Sequence, residues 1–177
     1  MAKLTKKQQE ALHLEQLQNS MLSEYSKTLP EEYFSATISL SQAVLKMMNQ
    51  YDHFAKQHDL TYNALMVLLC LRFGGNQVSQ GIISKFLFLP KQTVGSILNG
   101  FKKKNYVLES PSPNDARSKV LVLTKEGKGF ADDLFKQLQE IDSQALKAVP
   151  KEQFETTINS IDAYNNAFEK ALTNTDE

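Results

Sequence analysis

Apolar residues recur every three or four positions through most of this chain, a spacing that indicates amphipathic α-helices. One such stripe runs from Leu14 to Tyr25, and Pro30 falls in the first turn of the next helix. Thr61 is the expected N-cap of a third helix that is apolar almost all round and should be buried. The long helices predicted in this way cover residues 4–28, 30–57, 62–73, 124–149 and 151–172.

Shorter patterns follow between residues 78 and 104. Ser79 suits the N-cap of a helix through Leu87, and Phe88-Leu89-Pro90 predicts a turn. Pro90 presets the backbone of a second short helix. The residues expected to face the core from these two helices are Ile82, Ile83, Phe86, Val94, Ile97, Leu98 and Phe101.

A β-hairpin is predicted directly after the second short helix. The runs 106–108 and 119–123 are rich in β-prone residues, and a polar loop containing Pro111 and Pro113 separates them. The second run leads into a helix start at Thr124-Lys-Glu-Gly127. The predicted fold is therefore mostly α with a small β-wing, a winged helix-turn-helix embedded between long helices.

The terminal helices carry apolar stripes that the small central module cannot cover alone. The last stripe is continuous from Phe154 to Leu172. An intertwined homodimer is the economical solution. The predicted organisation has N-terminal dimerisation helices over residues 1–60, a winged helix-turn-helix over 61–124 and C-terminal dimerisation helices over 125–177.

The charge distribution indicates double-stranded DNA as the partner. The whole chain has a net charge of zero, yet residues 76–128 hold nine Lys or Arg against three Asp or Glu, a net charge of +6. The remaining residues hold 11 bases and 17 acids, a net charge of −6. Phosphate neutralisation depends on local charge, so overall neutrality does not argue against DNA binding.

Polar side chains on the outward face of the second short helix are the candidate reading surface, since a recognition helix meets base edges and phosphates there. Lys102 at its end suits phosphate but also the negative helix terminus. In the wing, a hairpin-tip Arg117 can enter a narrow minor groove while Asp115 aims it, although a plain surface ion pair is the alternative. The predicted DNA-binding residues are Ser79, Lys91, Gln92, Thr93, Ser96, Asn99, Lys102, Asn114, Asp115, Arg117 and Lys119.

These motifs resemble the MarR family of winged-helix regulators over roughly residues 33–150. The distinctive pair is Asn-Asp115-Ala-Arg117 in the wing and Leu-Thr124-Lys-Glu-Gly127 at the helix start. The resemblance implies a bacterial homodimer on a pseudo-palindromic operator, acting as a repressor and released by a small molecule or by oxidation. Glu109-Ser110 departs from the family, which often has a basic residue at this place in the wing. The alternative to DNA binding is a winged-helix module that binds a partner protein.

Other candidate chemistry is sparse. Met48, Tyr51, His58 and Tyr62 are candidates for an effector site, although core packing explains them about as well. Cys70 lies between leucines, so an inert thiol is favoured over a redox sensor. His53 and His58 point about 140° apart on a helix, so this segment predicts no metal site, while a metal shared between helices stays open.

No enzyme signature, cofactor motif or membrane span is read from the sequence. A Gly-rich phosphate loop, a nucleophile elbow and a zinc-hydrolase helix are all missing. No run of about 18 apolar residues occurs, and the single cysteine excludes an internal disulfide framework. A cytoplasmic protein without enzymatic activity is therefore expected.

Overall fold

The computed structural model describes residues 5–25, 27, 31–75, 78–111 and 119–174. Within these ranges the chain forms seven α-helices and one two-stranded antiparallel sheet. The mostly helical fold with a small wing is as predicted. The elements are α1 Lys6–Tyr25, α2 Glu31–Lys56, α3 Tyr62–Gly74, α4 Gln80–Phe86, α5 Lys91–Lys103, β1 Val107–Pro111, β2 Lys119–Leu123, α6 Lys125–Lys147 and α7 Lys151–Asn174.

The chain divides into two compact units, Met1–Leu65 and Met66–Glu177, and the division falls inside α3. In the first unit, the buried apolar residues are Phe34, Phe54, Ala55, Leu60 and Leu65. The second unit contains the winged helix and has the larger core. Its buried residues are Val67, Leu68, Leu71, Val78, Ile83, Val94, Leu98, Phe101, Val107, Val120, Leu121, Ala131, Leu134 and Leu138.

Side-chain caps fix the start of several helices where the sequence predicts them. The hydroxyl of Thr61 accepts the backbone N–H of Ala64 at 3.2 Å, and Ser79 accepts that of Ile82 at 3.3 Å. Each cap satisfies one of the N–H groups that a first helical turn leaves without an intrahelical partner. The predicted starts of α3 and α4 are therefore confirmed.

Two residues of α4 are not where the sequence predicts them. Ile83 is fully buried, but Ile82 is 54% exposed and Phe86 is 71% exposed. Because α4 has only two turns, it packs through Ile83 alone, and its other two apolar residues fall on its edges. There they line an apolar cavity of about 250 Å³ together with Phe73 and Cys70.

The terminal helices bury little of their apolar stripes within the single chain. On α1, Leu14 is 64% exposed and Leu17 is 58% exposed. α7 buries no residue at all. Its apolar side chains Phe154, Ile158, Tyr164, Phe168 and Leu172 are between 41% and 55% exposed. In the described part of the chain, no helix is long and apolar enough to cross a membrane.

Candidate nucleic-acid interface

The turn between α4 and α5 sets the geometry of the helix-turn-helix. Phe88 adopts a positive φ of 53°, a conformation that is uncommon for a bulky residue. The hydroxyl of Ser84 donates to the carbonyl of Leu89 at 2.6 Å, which fastens the turn to the end of α4. Pro90, the residue just before α5, has a φ of −56° and, as a proline, offers no side-chain cap. The first N–H groups of α5 are therefore left for an external acceptor.

A side-chain contact also joins the N-terminal ends of the two helices. The Gln80 amide donates to the carbonyl of Lys91 at 2.7 Å. A Cβ placed on Gly95 would lie 2.9 Å from the Gln80 amide nitrogen, which is closer than such atoms pack. Gly95 thus leaves room for Gln80, and Gln80 fixes where α5 begins relative to α4.

The outward face of α5 has the polar character that the sequence predicts. Val94, Leu98 and Phe101 are buried, which fixes the rotation of the helix, while Ile97 is half-buried. Lys91, Gln92, Ser96 and Asn99 are exposed on the other side, and Thr93 is half-buried at its edge. One helical face thus presents amide, hydroxyl and ammonium groups that can donate to base edges or phosphates.

The wing is joined to the start of α4. β1 and β2 pair from Val107 opposite Leu123 to Pro111 opposite Lys119. The backbone N–H of Leu121 donates to the carbonyl of Val78 at 2.8 Å, just before the Ser79 cap. The hairpin and the segment that leads into the helix-turn-helix are therefore hydrogen-bonded to each other.

The predicted wing-tip residues Asn114, Asp115 and Arg117 lie outside the described residues. Their proposed minor-groove contact stays a prediction. β1 nevertheless extends three residues beyond the predicted run, through Glu109 and Ser110 to Pro111, which was predicted to lie in the loop. The hairpin arms are therefore longer than the sequence pattern indicates.

Glu109 on β1 pairs with two of the predicted phosphate-binding lysines. One carboxylate oxygen accepts from the ammonium of Lys102 at the end of α5, and the other accepts from Lys119 on β2 at 3.0 Å. The hydrogen bond from Lys102, followed by that from Lys119, holds the pKa of Glu109 below its usual range. The two cations are therefore not free charges in the unbound molecule.

The helix start after the wing has a specific steric requirement. Thr124 caps α6 by accepting the N–H of Gly127 at 2.9 Å, and its own hydroxyl donates to the carbonyl of Asn105 at 2.8 Å. A Cβ on Gly127 would come within 2.1 Å of the Tyr106 carbonyl oxygen. The Thr-x-x-Gly pattern thus lets α6 begin in direct contact with the chain that leaves α5.

The candidate effector residues are only partly brought together. The rings of Tyr51 and Tyr62 meet edge to face at a centroid distance of 6.4 Å, whereas His58 packs against Phe54 at 4.9 Å. Met48 is exposed on α2, one turn before Tyr51. Asp52 accepts the N–H of Tyr62 at 3.0 Å, so this aromatic pair marks the junction of α2 and α3.

Cys70 and the histidines show no arrangement suited to redox or metal chemistry. Burial raises the pKa of the half-buried Cys70 thiol, which disfavours the reactive thiolate. Among the residues that the structure describes, no group of three or more His, Cys, Asp or Glu side chains could hold a metal ion.

Sequence reasoning did not identify Gln80 or Glu109 as members of this surface. The contact from Gln80 to Lys91 spans 11 residues and depends on the angle between two helices, so no local pattern signals it. Glu109 carried a signal, because it is an acid in the most basic segment of the chain. The strand register shows that the Glu109 side chain can reach Lys119. Glu109 lies opposite Leu121, which is two residues from Lys119 on the same face of the hairpin.

Comparison with known proteins finds that the winged helix is similar to that of bacterial regulators. Residues 58–118 match the model of the MarR family. The HTH-type transcriptional regulator SarZ of Staphylococcus haemolyticus is 26% identical over 97 residues. That alignment covers 51% of this chain and 65% of SarZ, so it spans less than two thirds of the relative.

Solved structures share the fold over more of the chain. NMB1585, a MarR family regulator from Neisseria meningitidis, has a TM-score of 0.67 at 26% identity, over 77% of this chain and 96% of that one. The Staphylococcus aureus MepR–DNA complex has a TM-score of 0.62 at 18% identity, over 75% of this chain and 97% of that one. The second likeness is one of fold alone.

Proposed function

We propose that this chain is a sequence-specific DNA-binding transcriptional regulator of the MarR family, whose model its winged helix matches. The observation that carries the proposal is the exposed polar face of α5, inside a module with a net charge of +6. We assign base reading to Gln92, Thr93 and Ser96, and contacts with the DNA backbone to Ser79, Lys91, Asn99, Lys102 and Lys119.

The wing tip is the second proposed contact. Asn114, Asp115 and Arg117 lie between β1 and β2, and Leu121 of β2 is hydrogen-bonded to Val78 just before α4. An arginine at a hairpin tip reads the width and negative potential of the minor groove rather than a base pattern. We propose that Arg117 enters the minor groove next to the major groove that α5 occupies, with Asp115 orienting it.

We propose that the active species is a homodimer. The exposed stripes of α1 and α7 support this assembly, because they leave large apolar side chains in water in the single chain. Residues 1–60 and 125–177 would supply the dimer interface, and residues 61–124 the DNA-binding domain. Two copies of α5 would then read half-sites about one helical turn apart, roughly 34–36 Å.

Regulation belongs to the same proposal. We propose that the dimer acts as a repressor in the bacterial cytoplasm, and that a small-molecule effector releases it from DNA. The Tyr51–Tyr62 pair supports an effector site at the α2–α3 junction, with Met48 and His58 on neighbouring turns. An effector that favours one orientation of these helices would act by differential affinity for two conformations.

A protein-interaction module is the second candidate function, and one observation favours it. Phe73, Ile82, Phe86 and Phe88 are all more than half exposed, and Phe88 reaches 94%. Exposed apolar patches of this kind mark protein contacts. In this case the winged helix would bind a partner protein instead of DNA.

Salt dependence separates the two candidates. Binding of the purified protein to a mixed-sequence DNA duplex is measured as salt is raised from 50 to 200 mM. A protein that contacts six or more phosphates loses about 10³-fold or more in affinity over this range. A flat response would contradict the DNA-binding proposal and favour the protein-interaction module.

A further inference from the structure

Glu109 lies at the centre of a three-charge cluster that joins the proposed recognition helix to the wing. Its carboxylate accepts from Lys102 on α5 with one oxygen and from Lys119 on β2 with the other. The side chains are 33% exposed for Lys102, 37% for Glu109 and 74% for Lys119, so water and ligands reach all three. We call these three residues the Lys–Glu–Lys cluster.

The register of the hairpin builds this cluster. Glu109 is opposite Leu121 and Pro111 is opposite Lys119, so Glu109 and Lys119 are diagonal neighbours on one face of the two-stranded sheet. Lys102 reaches the same carboxylate from the last turn of α5. The cluster therefore lies where the proposed recognition helix and the wing meet.

A carboxylate in this position resembles the ligand itself. It holds two ammonium groups as a phosphate oxygen would, and it reduces the net charge of the cluster from +2 to +1. A phosphate that binds either lysine must share its ammonium group with Glu109 and approach a fixed negative charge. Glu109 therefore weakens binding to every DNA sequence by the same amount, because phosphates carry no sequence information.

We propose that Glu109 acts as an internal competitor for DNA phosphates, which lowers the sequence-independent affinity of this surface. This inference rests on the proposed DNA-binding function, and it concerns the strength of phosphate binding at the same surface. Glu109 does not read bases. It sets how much of the cationic charge of Lys102 and Lys119 is available to the DNA backbone.

The test uses the full-length protein with Glu109→Gln, which keeps the shape of the side chain and removes its charge. Because Glu109 makes two exposed ion pairs, each of modest strength, binding to a mixed-sequence duplex should tighten about two- to thirtyfold. The plot of log affinity against log salt should steepen by up to about 0.9, the contribution of one further phosphate contact. Glu140→Gln is the control, because it makes the same charge change on α6, about 22 Å along that helix from its start. It should change the affinity and the salt slope less than Glu109→Gln does.

A double-mutant cycle separates competition from a general charge effect. Lys102→Ala should flatten the salt slope by clearly less than one unit in the wild type, where Glu109 already neutralises part of its charge. In the Glu109→Gln background the same substitution should flatten the slope by about one unit. If Lys102→Ala flattens the salt slope equally in the wild type and in Glu109→Gln, Glu109 does not compete with phosphates for Lys102.

Two further outcomes also overturn the inference, and they are distinguishable. If wild-type protein binds duplex DNA with a steep salt slope but Glu109→Gln binds equally or more weakly, Glu109 only positions the lysines and the proposed function stands. If wild-type protein shows no salt-dependent binding to any duplex, the proposed function fails together with this inference. Glu109→Thr, which keeps a strand-forming residue without charge, repeats the test should the glutamine variant not fold.

Discussion

At the scale of single residues, two glycines fix the geometry of this winged helix for different reasons. Position 127 has no room for a side chain, because the backbone carbonyl oxygen of Tyr106 occupies the space that a Cβ would take. Gly95 is restricted only by the flexible end of Gln80. A backbone obstacle cannot rotate away, whereas a side-chain amide can, at the loss of its hydrogen bond to Lys91.

We therefore expect Gly127→Ala to destabilise the fold. Over-packing of this kind costs about 1–3 kcal/mol, because either α6 or the segment after α5 must shift. Urea unfolding followed by circular dichroism measures the change. Gly129→Ala is the matched control on the same helix, since nothing lies within 4 Å of its added Cβ, and it should stabilise by up to about 1 kcal/mol. Equal behaviour of the two variants would contradict the steric account of the Thr-x-x-Gly motif.

Side-chain contacts between different elements were the part of the site that the sequence predicted least well. The caps Ser79, Thr61 and Thr124 could be predicted, because a capping hydroxyl and the backbone N–H that donates to it lie three residues apart. The partners of Glu109 and Gln80 are seven to eleven residues away, on other elements. Such pairs depend on strand register and on the angle between helices, which no local pattern records.

At the scale of elements, helices and strands followed the spacing of apolar residues closely. The strand Lys119–Leu123 is as predicted, and the long helices begin and end within a few residues of their predicted limits. The short helix α4 is one exception, since Ile82 and Phe86 are exposed. Periodicity identifies an apolar face only when several turns share it, and a two-turn helix does not have enough residues to define one.

The junction of α2 and α3 should show a characteristic pH dependence through Asp52. The Lys56 hydrogen bond, and then the N–H of Tyr62, hold the pKa of Asp52 below its usual range. Because the folded pKa is lowered, this stabilisation is present above the ordinary carboxyl pKa of roughly 4 and is lost as pH falls through the folded value.

Asp52→Asn should therefore unfold at lower urea than the wild type at pH 7, and the difference should shrink below about pH 4. Asp59→Asn is the control, since it removes the same charge from an exposed loop residue whose positive φ of 55° asparagine tolerates. A gap between Asp52→Asn and wild type that stays constant down to acidic pH would exclude the ionised carboxylate as its cause.

The proposed recognition helix α5 should divide into residues that select bases and residues that hold phosphates. Gln92→Ala and Ser96→Ala should change which base pairs are preferred, with about 1–3 kcal/mol of discrimination lost at the affected positions. Lys119→Ala should weaken binding to all sequences alike and flatten the salt dependence. Binding to single-base variants of the best duplex distinguishes the two effects. Wild-type base preferences in both the Gln92 and the Ser96 variant would show that another face of α5 meets the DNA.

At the scale of the whole molecule, the apolar surface of the terminal helices predicts a stable dimer. Sedimentation at micromolar concentration should give about twice the chain mass of 20.0 kDa. Ile158→Glu should produce monomers that keep their helicity, because α7 buries no residue within the single chain. Ala163→Glu lies on the opposite side of α7, at about 100° per residue, and should leave the dimer intact. A monomeric wild type would contradict two-fold operator recognition.

The central claim is that the exposed face of α5 reads a specific DNA sequence, and selection of bound duplexes from a random pool tests it most directly. After repeated rounds with the purified wild-type protein, the account predicts one enriched sequence made of two inverted half-sites, with centres about one helical turn apart. The same selection with the Gln92→Ala variant should relax the preference at defined positions within each half-site. A pool that stays random after selection, although the protein is folded and dimeric, would contradict the account.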